Sequence, residues 1–206
     1  MIAPSRRTLL LLGVGAFVVL VLGAAAWFWY AAEQSRVMAA YAAVLVRVAA
    51  AHGAEATPEA RAAAARDLEA ILTRHPSATA APQAAYELAS LRYDAGQYGA
   101  ARAAYEIALA RGADGTLRTL AQAGVGYTWE AEHDWAKASN AYRVAIARLS
   151  PKDFYYESLL VDLARAQELG GQKAEAVATY RRILKELPQA RRAEEIRARL
   201  MGLGGE

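Results

Sequence analysis

The sequence predicts an all-α protein in which one membrane-spanning helix precedes a solenoid of stacked helix pairs. Three observations carry the prediction: an uncharged apolar run near the N-terminus, helical spacing of apolar residues afterwards, and a residue pattern that returns at a nearly fixed step. Of the 206 residues, 55% are hydrophobic, and much of this large fraction lies in the apolar run. No stretch has the alternating pattern of a half-buried strand.

The apolar run covers residues 8–30, which contain no charged side chain. A helix of that length extends roughly 34 Å at about 1.5 Å per residue, and the hydrocarbon core of a bilayer is about 30 Å thick. The run ends in the aromatic cluster Trp27-Phe28-Trp29-Tyr30, which is typical of a membrane interface. The cluster favours an uncleaved anchor, although Ala24 and Ala26 would suit cleavage of an export signal.

Arg6 and Arg7 precede the run without any acidic residue. The positive-inside rule therefore makes residues 1–7 a cytoplasmic tail and places the chain after Tyr30 across the membrane. Arg36 and Arg47 on the exit side reduce this bias. We expect a single-pass protein of a bacterial inner membrane whose repeats lie in the periplasm.

One frame of residues returns three times within residues 82–188, at steps of 37 and 38 residues. A small residue allows the second helix of a pair to approach the first, and an aromatic residue four positions later fills the space between pairs. The first helix of each pair carries a large apolar residue followed by a small one. The pattern predicts three helix pairs with longer connections at 111–116 and 150–155. The small and aromatic residues of the second helices are Ala101 and Tyr105, Ala138 and Tyr142, and Ala176 and Tyr180. The paired residues of the first helices are Leu88-Ala89, Val125-Gly126 and Leu163-Ala164.

The flanking segments predict incomplete units, as expected at the ends of a solenoid. Residues 31–81 contain an elongated helix over 35–52, a break at 53–58, and a degenerate second helix beginning near Pro58. Its apolar face is Ala64, Leu68, Ile71 and Leu72. Residues 189–206 predict a capping helix and a loose tail.

Catalytic and metal-binding patterns are missing from the sequence. It contains no cysteine, and the three histidines, His52, His75 and His133, lie in different repeats without a second ligand at metal-binding spacing. No phosphate-binding loop or nucleophile motif occurs, and Gly124 and Gly126 lie inside a helix where small residues serve packing. Beyond the two N-terminal arginines, basic and acidic residues nearly balance, which disfavours nucleic acid. We expect a binding protein with no enzymatic activity and no cofactor.

The frame resembles the tetratricopeptide repeat, and Pro188 closes the third unit in register. In that family the first helices line a concave groove, and the resemblance implies that eight residues form the inner wall of a partner-binding groove. Tyrosines suit such a surface because they bury a large area and keep a hydroxyl group. Each could instead pack between helices. The groove has no cluster of Lys and Asn for a C-terminal carboxylate, so we expect an apolar or mixed polypeptide segment. The eight inner-wall residues are Tyr86, Ser90, Tyr93, Asp94, Tyr127, Glu130, Arg165 and Glu168.

The order of parts resembles the YfgM-type ancillary subunit of the bacterial Sec translocon. The long helix carries Ala-Ala-Tyr-Ala-Ala at 39–43 as one of these parts. The nearest local matches are the segments 84–91, Ala-Ala-Tyr-Glu-Leu-Ala-Ser-Leu, and 161–166, Val-Asp-Leu-Ala-Arg-Ala. The resemblance implies a scaffold or chaperone whose partners are translocon subunits, periplasmic chaperones or exported polypeptides. The alternative is an assembly or scaffold subunit of another cell-envelope complex for cell division, secretion or respiration.

Overall fold

The structure is a computed structural model that describes residues 6–51, 53 and 56–204, with side chains from Phe17 onward. The described residues form α-helices joined by turns and contain no strand. This confirms the predicted all-α class, with one long apolar N-terminal helix followed by helical repeats. The helices are α1 (Arg6–Ala51), α2 (Pro58–Arg74), α3 (Ala81–Asp94), α4 (Tyr98–Ala110), α5 (Gly115–Ala131), α6 (Trp135–Ile146), α7 (Tyr156–Leu169), α8 (Lys173–Glu186) and α9 (Ala193–Gly202).

Helix α1 joins the apolar segment to the repeats without interruption. It has 46 residues, so it is about 69 Å long at about 1.5 Å per residue. Its stretch from Phe17 to Ala51 is long and apolar enough to cross a membrane. We predicted a separate helix over 35–52, but residue 35 begins no new helix. Residues 1–5 of the predicted tail, His52, and Gly205 and Glu206 lie outside the described residues.

The second half of α1 is the first helix of the array. Val37, Tyr41, Val44 and Val48 are buried on its packed side. The Tyr41 hydroxyl donates to the carbonyl oxygen of His75 at 2.8 Å, which ties α1 to the end of α2. Helix α2 begins at Pro58 and buries the four apolar residues that the sequence predicted.

Helices α3 to α8 form three antiparallel pairs, and each helix packs on the next. The repeated tyrosines Tyr105, Tyr142 and Tyr180 are buried between neighbouring helices. A Cβ atom added to Gly124 would lie 2.4 Å from the ring of Tyr105, and one added to Gly126 would lie 2.4 Å from the ring of Tyr142. The interpretation of these glycines as packing residues is confirmed, because only glycine leaves room for the rings.

The connections differ slightly from the prediction. Helix α5 begins at Gly115, so the first long connection is only 111–114 instead of 111–116. Helix α6 ends at Ile146, so the second covers 147–155 instead of 150–155. Helix α9 buries Ile196 and Leu200, as a cap on the last pair should.

Candidate functional site

The predicted inner wall lies on α3, α5 and α7, the first helices of the three pairs. By the step of the repeat, Ser90, Tyr127 and Arg165 occupy one equivalent position. Tyr93, Glu130 and Glu168 occupy another, three residues further along each helix. None of the eight predicted residues is fully buried, and Asp94 and Tyr127 are exposed.

The α3 part of the wall is a cluster of phenol groups. The Tyr86 and Tyr105 rings have centroids 5.6 Å apart, and the Tyr93 and Tyr98 rings are 5.4 Å apart. The Ser90 hydroxyl acts to lower the pKa of Tyr86 and of Tyr105, but burial outweighs it. Burial raises the pKa of Tyr86 and Tyr93 and raises that of Tyr105 to about 12. These hydroxyl groups are therefore protonated hydrogen-bond donors at neutral pH.

The centre of the wall is a network that joins α5, α6 and α7. The Arg165 guanidinium binds both carboxylate oxygens of Glu130, and its Nη2 donates to Oε2 at 3.1 Å. The same Nη2 donates to Asp162 Oδ1 at 3.0 Å. The Tyr142 hydroxyl donates to Glu130 Oε2 at 2.7 Å, and the Tyr127 hydroxyl donates to Asp162 Oδ2 at 3.1 Å. One cation and two phenols thus satisfy two carboxylates.

The phenols and the guanidinium of this network do not titrate near neutral pH. Burial raises the pKa of Tyr142 far above its ordinary value, and the hydrogen bond to Glu130 raises it further. Burial and the nearby Asp162 charge likewise raise the pKa of Tyr127. Desolvation acts to lower the pKa of Arg165, but the hydrogen bonds to Glu130 and Asp162 outweigh it and leave the pKa raised. The network is therefore a fixed, polar surface.

The same arrangement recurs one pair later. The Tyr180 hydroxyl donates to Glu168 Oε2 at 2.9 Å, and Arg199 Nη1 donates to the same oxygen at 3.1 Å. In both networks the glutamate precedes the tyrosine by 12 residues, and the arginine comes from the next unit. In the first pair Tyr93 stands at the glutamate position. The spacing is a signal that the sequence contained and that we did not use.

The structure thus brings Tyr127, Glu130 and Arg165 together, and it places Glu168 in the separate network with Arg199. For Glu130, Arg165 and Glu168 the side chains contact other helices of this chain. Sequence reasoning missed Asp162 and the network role of Tyr142, although both complete the central part of the wall.

A cleft of about 430 Å³ continues the wall at the beginning of α7. Phe154 at its mouth is 81% exposed, whereas Val161 on its floor is buried. The Arg191 backbone N–H donates to Glu157 Oε1 at 2.8 Å, but the Arg191 guanidinium forms no ion pair with the described residues. The cleft is lined by Phe154, Glu157, Ser158, Val161, Asp162, Arg191 and Arg192.

Comparison with known proteins identifies no family for this chain. No protein-family profile matches the chain, and no curated protein matches it. In the described part of the chain, no three His, Asp or Glu side chains are grouped as ligands for a metal ion. The fold and surface define an all-helical repeat protein with one candidate membrane helix and a polar, aromatic inner wall.

Proposed function

We propose that this protein is a membrane-anchored, tetratricopeptide-like scaffold whose inner wall binds extended polypeptide segments. One observation carries the proposal: α3, α5 and α7 carry aromatic and charged side chains that are half-buried or exposed, and a cleft lies at the beginning of α7.

The wall offers the contacts that an extended chain needs. Protonated tyrosine hydroxyls donate hydrogen bonds to backbone carbonyl groups, and the rings bury apolar side chains. The Arg191 guanidinium can bind a carboxylate, and the buried Val161 gives the cleft an apolar floor. Because the network around Glu130 already fixes its side chains, binding costs little additional side-chain entropy.

The proposed location follows from the anchor. With Arg6 and Arg7 in the cytoplasm, the repeats lie in the periplasm of a bacterium and meet polypeptides as they leave the membrane. The resemblance to the ancillary translocon subunit makes exported polypeptides, translocon subunits and periplasmic chaperones the proposed partners. No catalytic step is part of this function.

Groove binding is tested with the full chain in detergent micelles and fluorescent unfolded peptides, by fluorescence anisotropy. The variant Tyr86→Ala with Tyr127→Ala removes one half-buried and one exposed ring from the wall. We expect binding to weaken by roughly thirtyfold because each ring is worth about 1 kcal/mol or more. Val144→Ala removes an exposed side chain from α6, outside the wall, and should leave binding unchanged. Equal binding by the two variants would exclude the wall as the binding surface.

The partner is tested by mild detergent extraction and mass spectrometry of the proteins that copurify. Translocon subunits together with exported polypeptides support the proposed function. A single stoichiometric partner from a division, secretion or respiratory assembly would replace it with the alternative role of an assembly subunit. A purified wild-type protein that binds no unfolded peptide would contradict both the groove and the chaperone role.

A further inference from the structure

The turns of the repeat array lie on two edges. The near edge consists of the turns that follow α2, α4, α6 and α8, and the far edge consists of the turns that follow α1, α3, α5 and α7. Contacts connect neighbouring parts of the near edge: Arg111 Nη1 donates to the Leu72 carbonyl oxygen at 3.3 Å, and Arg191 N donates to Glu157 Oε1 at 2.8 Å.

Helix α1 determines which edge is closer to the anchor. Helix α2 runs antiparallel to it: Arg61 Nε donates to the carbonyl oxygen of Ala51 at 3.3 Å, whereas the carbonyl oxygen of His75, after the last residue of α2, accepts from Tyr41. The turn after α2 therefore lies on the side of Tyr30, where the aromatic cluster ends the apolar segment. The near edge is turned towards the membrane and the far edge away from it.

The two edges differ in charge. The near-edge turns carry five cations against Asp114 and Asp153, and Asp153 already accepts hydrogen bonds from the backbone N–H and hydroxyl of Ser150 at 2.6 and 2.7 Å. The described far-edge turns carry Glu132 and Asp134 and no lysine or arginine. The five near-edge cations are Arg111, Arg148, Lys152, Arg191 and Arg192.

Most of these cations are available to a partner. Arg148, Lys152, Arg191 and Arg192 are exposed. Within the described residues Arg148, Lys152 and Arg191 form no ion pair, and Arg192 has only Glu195 at 3.9 Å. The same edge carries Phe154, whose 81% exposure is the highest of the described large hydrophobic side chains. Exposed cations beside an exposed aromatic ring are the combination that binds the interface of an anionic bilayer.

We propose that the near edge binds anionic phospholipid headgroups of the leaflet from which α1 emerges, with Phe154 at the interface. This inference rests on the anchoring part of the proposed function. The distance is compatible: Val37, the first buried residue after the anchor, is seven residues from Tyr30, or about 10 Å along the helix. Attraction between charges acts over about 8 to 10 Å at physiological ionic strength. The protein then contacts the membrane both through the anchor and through the near edge of the array.

The experiment uses the full chain reconstituted into vesicles of phosphatidylcholine, with and without phosphatidylglycerol. Because the chain has no cysteine, one fluorophore can be attached through Gln189→Cys on the near edge or Gln97→Cys on the far edge, both exposed. Quenching by labelled lipid headgroups reports the proximity of each edge to the bilayer. The charge variant is Arg148→Glu with Lys152→Glu, which changes no residue of the cleft.

We expect stronger quenching at Gln189→Cys than at Gln97→Cys, and a further increase at the near edge when phosphatidylglycerol is present. High salt and the charge variant should remove that increase, and Phe154→Ser should reduce it. The salt titration needs no substitution beyond the probe, so it tests the inference even if the charge variant fails to fold.

Two results would overturn the inference. Equal quenching at both edges would show that the near edge does not face the bilayer. Quenching that is independent of phosphatidylglycerol, salt and the charge variant would exclude headgroup binding and leave the near-edge cations to another partner. Flotation with the vesicles is scored separately: protein that does not float contradicts the anchor itself, whereas floating protein with equal quenching contradicts only the role of the near edge.

Discussion

The substitution Gly126→Ala places a methyl group against the ring of the fully buried Tyr142. The added Cβ would lie 2.4, 2.6 and 2.9 Å from three carbons of the Tyr142 ring. Carbon atoms in a core pack at about 3.5 to 4.0 Å, so the ring or α5 must move by about 1 Å. The ring cannot move freely, because its side chain is fully buried and its hydroxyl is bonded to Glu130.

The expected magnitude follows from two opposing effects. Forcing an extra methyl group into a filled core costs about 1 to 3 kcal/mol. Alanine in place of glycine inside a helix gains about 0.5 to 1 kcal/mol. Since the overlap is large, we expect a net loss of about 1 to 2 kcal/mol in the free energy of unfolding. In a chain of this size each kcal/mol lowers Tm by roughly 2 to 4 °C.

The matched control is Gly99→Ala in α4. A Cβ there would have its nearest neighbour, Arg102 Nη2, at 3.9 Å, which is an ordinary contact. The control should therefore gain the helical benefit of about 0.5 to 1 kcal/mol without the cost. Thermal unfolding of both variants is followed by circular dichroism of the full chain in detergent.

The result that refutes this reasoning is a Tm for Gly126→Ala equal to or above that of Gly99→Ala. A double-mutant cycle locates the cause: in a Tyr142→Leu background the ring is gone, so Gly126→Ala should cost less than it does in the wild-type chain. An unchanged cost in that background would place the strain elsewhere than at the ring.

Two further predictions concern the buried phenols and the central network. Burial raises the pKa of Tyr180 to about 12, so unfolded tyrosine loses its proton first. Tyr180 should therefore contribute a decline in stability of about 1.4 kcal/mol per pH unit between about pH 10 and 12, and the other buried phenols should add to it. Urea unfolding should show a smaller decline for Tyr180→Phe; an equal decline contradicts this assignment. Glu130→Gln removes the charge paired with the half-buried Arg165 and should cost about 1 to 3 kcal/mol, whereas Arg197→Gln, at an exposed ion pair, should cost almost nothing. Equal costs for the last two would mean that the central network is not structural.

The helix pairs could be predicted because their packing is local and periodic. Tyr105 packs on α5 of the following pair and Tyr142 packs on α5 of its own pair, so the same aromatic residue type returns at each step. Gly124 and Gly126 are required where those rings meet α5. A packing requirement that every pair shares produces a residue pattern that repeats along the sequence, and that pattern predicted the fold class.

The networks on the inner wall could not be predicted in the same way. Glu130 and Arg165 are 35 residues apart, whereas Glu168 and Arg199 are 31 apart, because α9 follows the last pair by a shorter connection. Such unequal separations leave no periodic pattern. They depend on how far the array curves and which helix ends meet, which the sequence does not display.

The continuity of α1 was also missed, and the reason is physical. The predicted helix over 35–52 would begin among the polar residues Glu33, Gln34, Ser35 and Arg36, but these residues do not end the preceding helix. No proline or glycine occurs between Gly23 and Gly53, so no residue in this stretch forces a break. Polar residues at this point of α1 do not mark where the helix ends.

In the proposed anchoring, α1 runs without a break from the apolar segment into the array, so a small tilt of the anchor would move the inner wall over a large distance. From Tyr30 to Ala51, α1 is about 31 Å long, so a tilt of about 20°, which is common for membrane helices, shifts its end sideways by roughly 10 Å. Tilt depends on the match between helix length and bilayer thickness. Under the proposed anchoring, local membrane thickness would therefore set the inclination of the inner wall, and a thinner or thicker patch of bilayer would reorient the array together with α1.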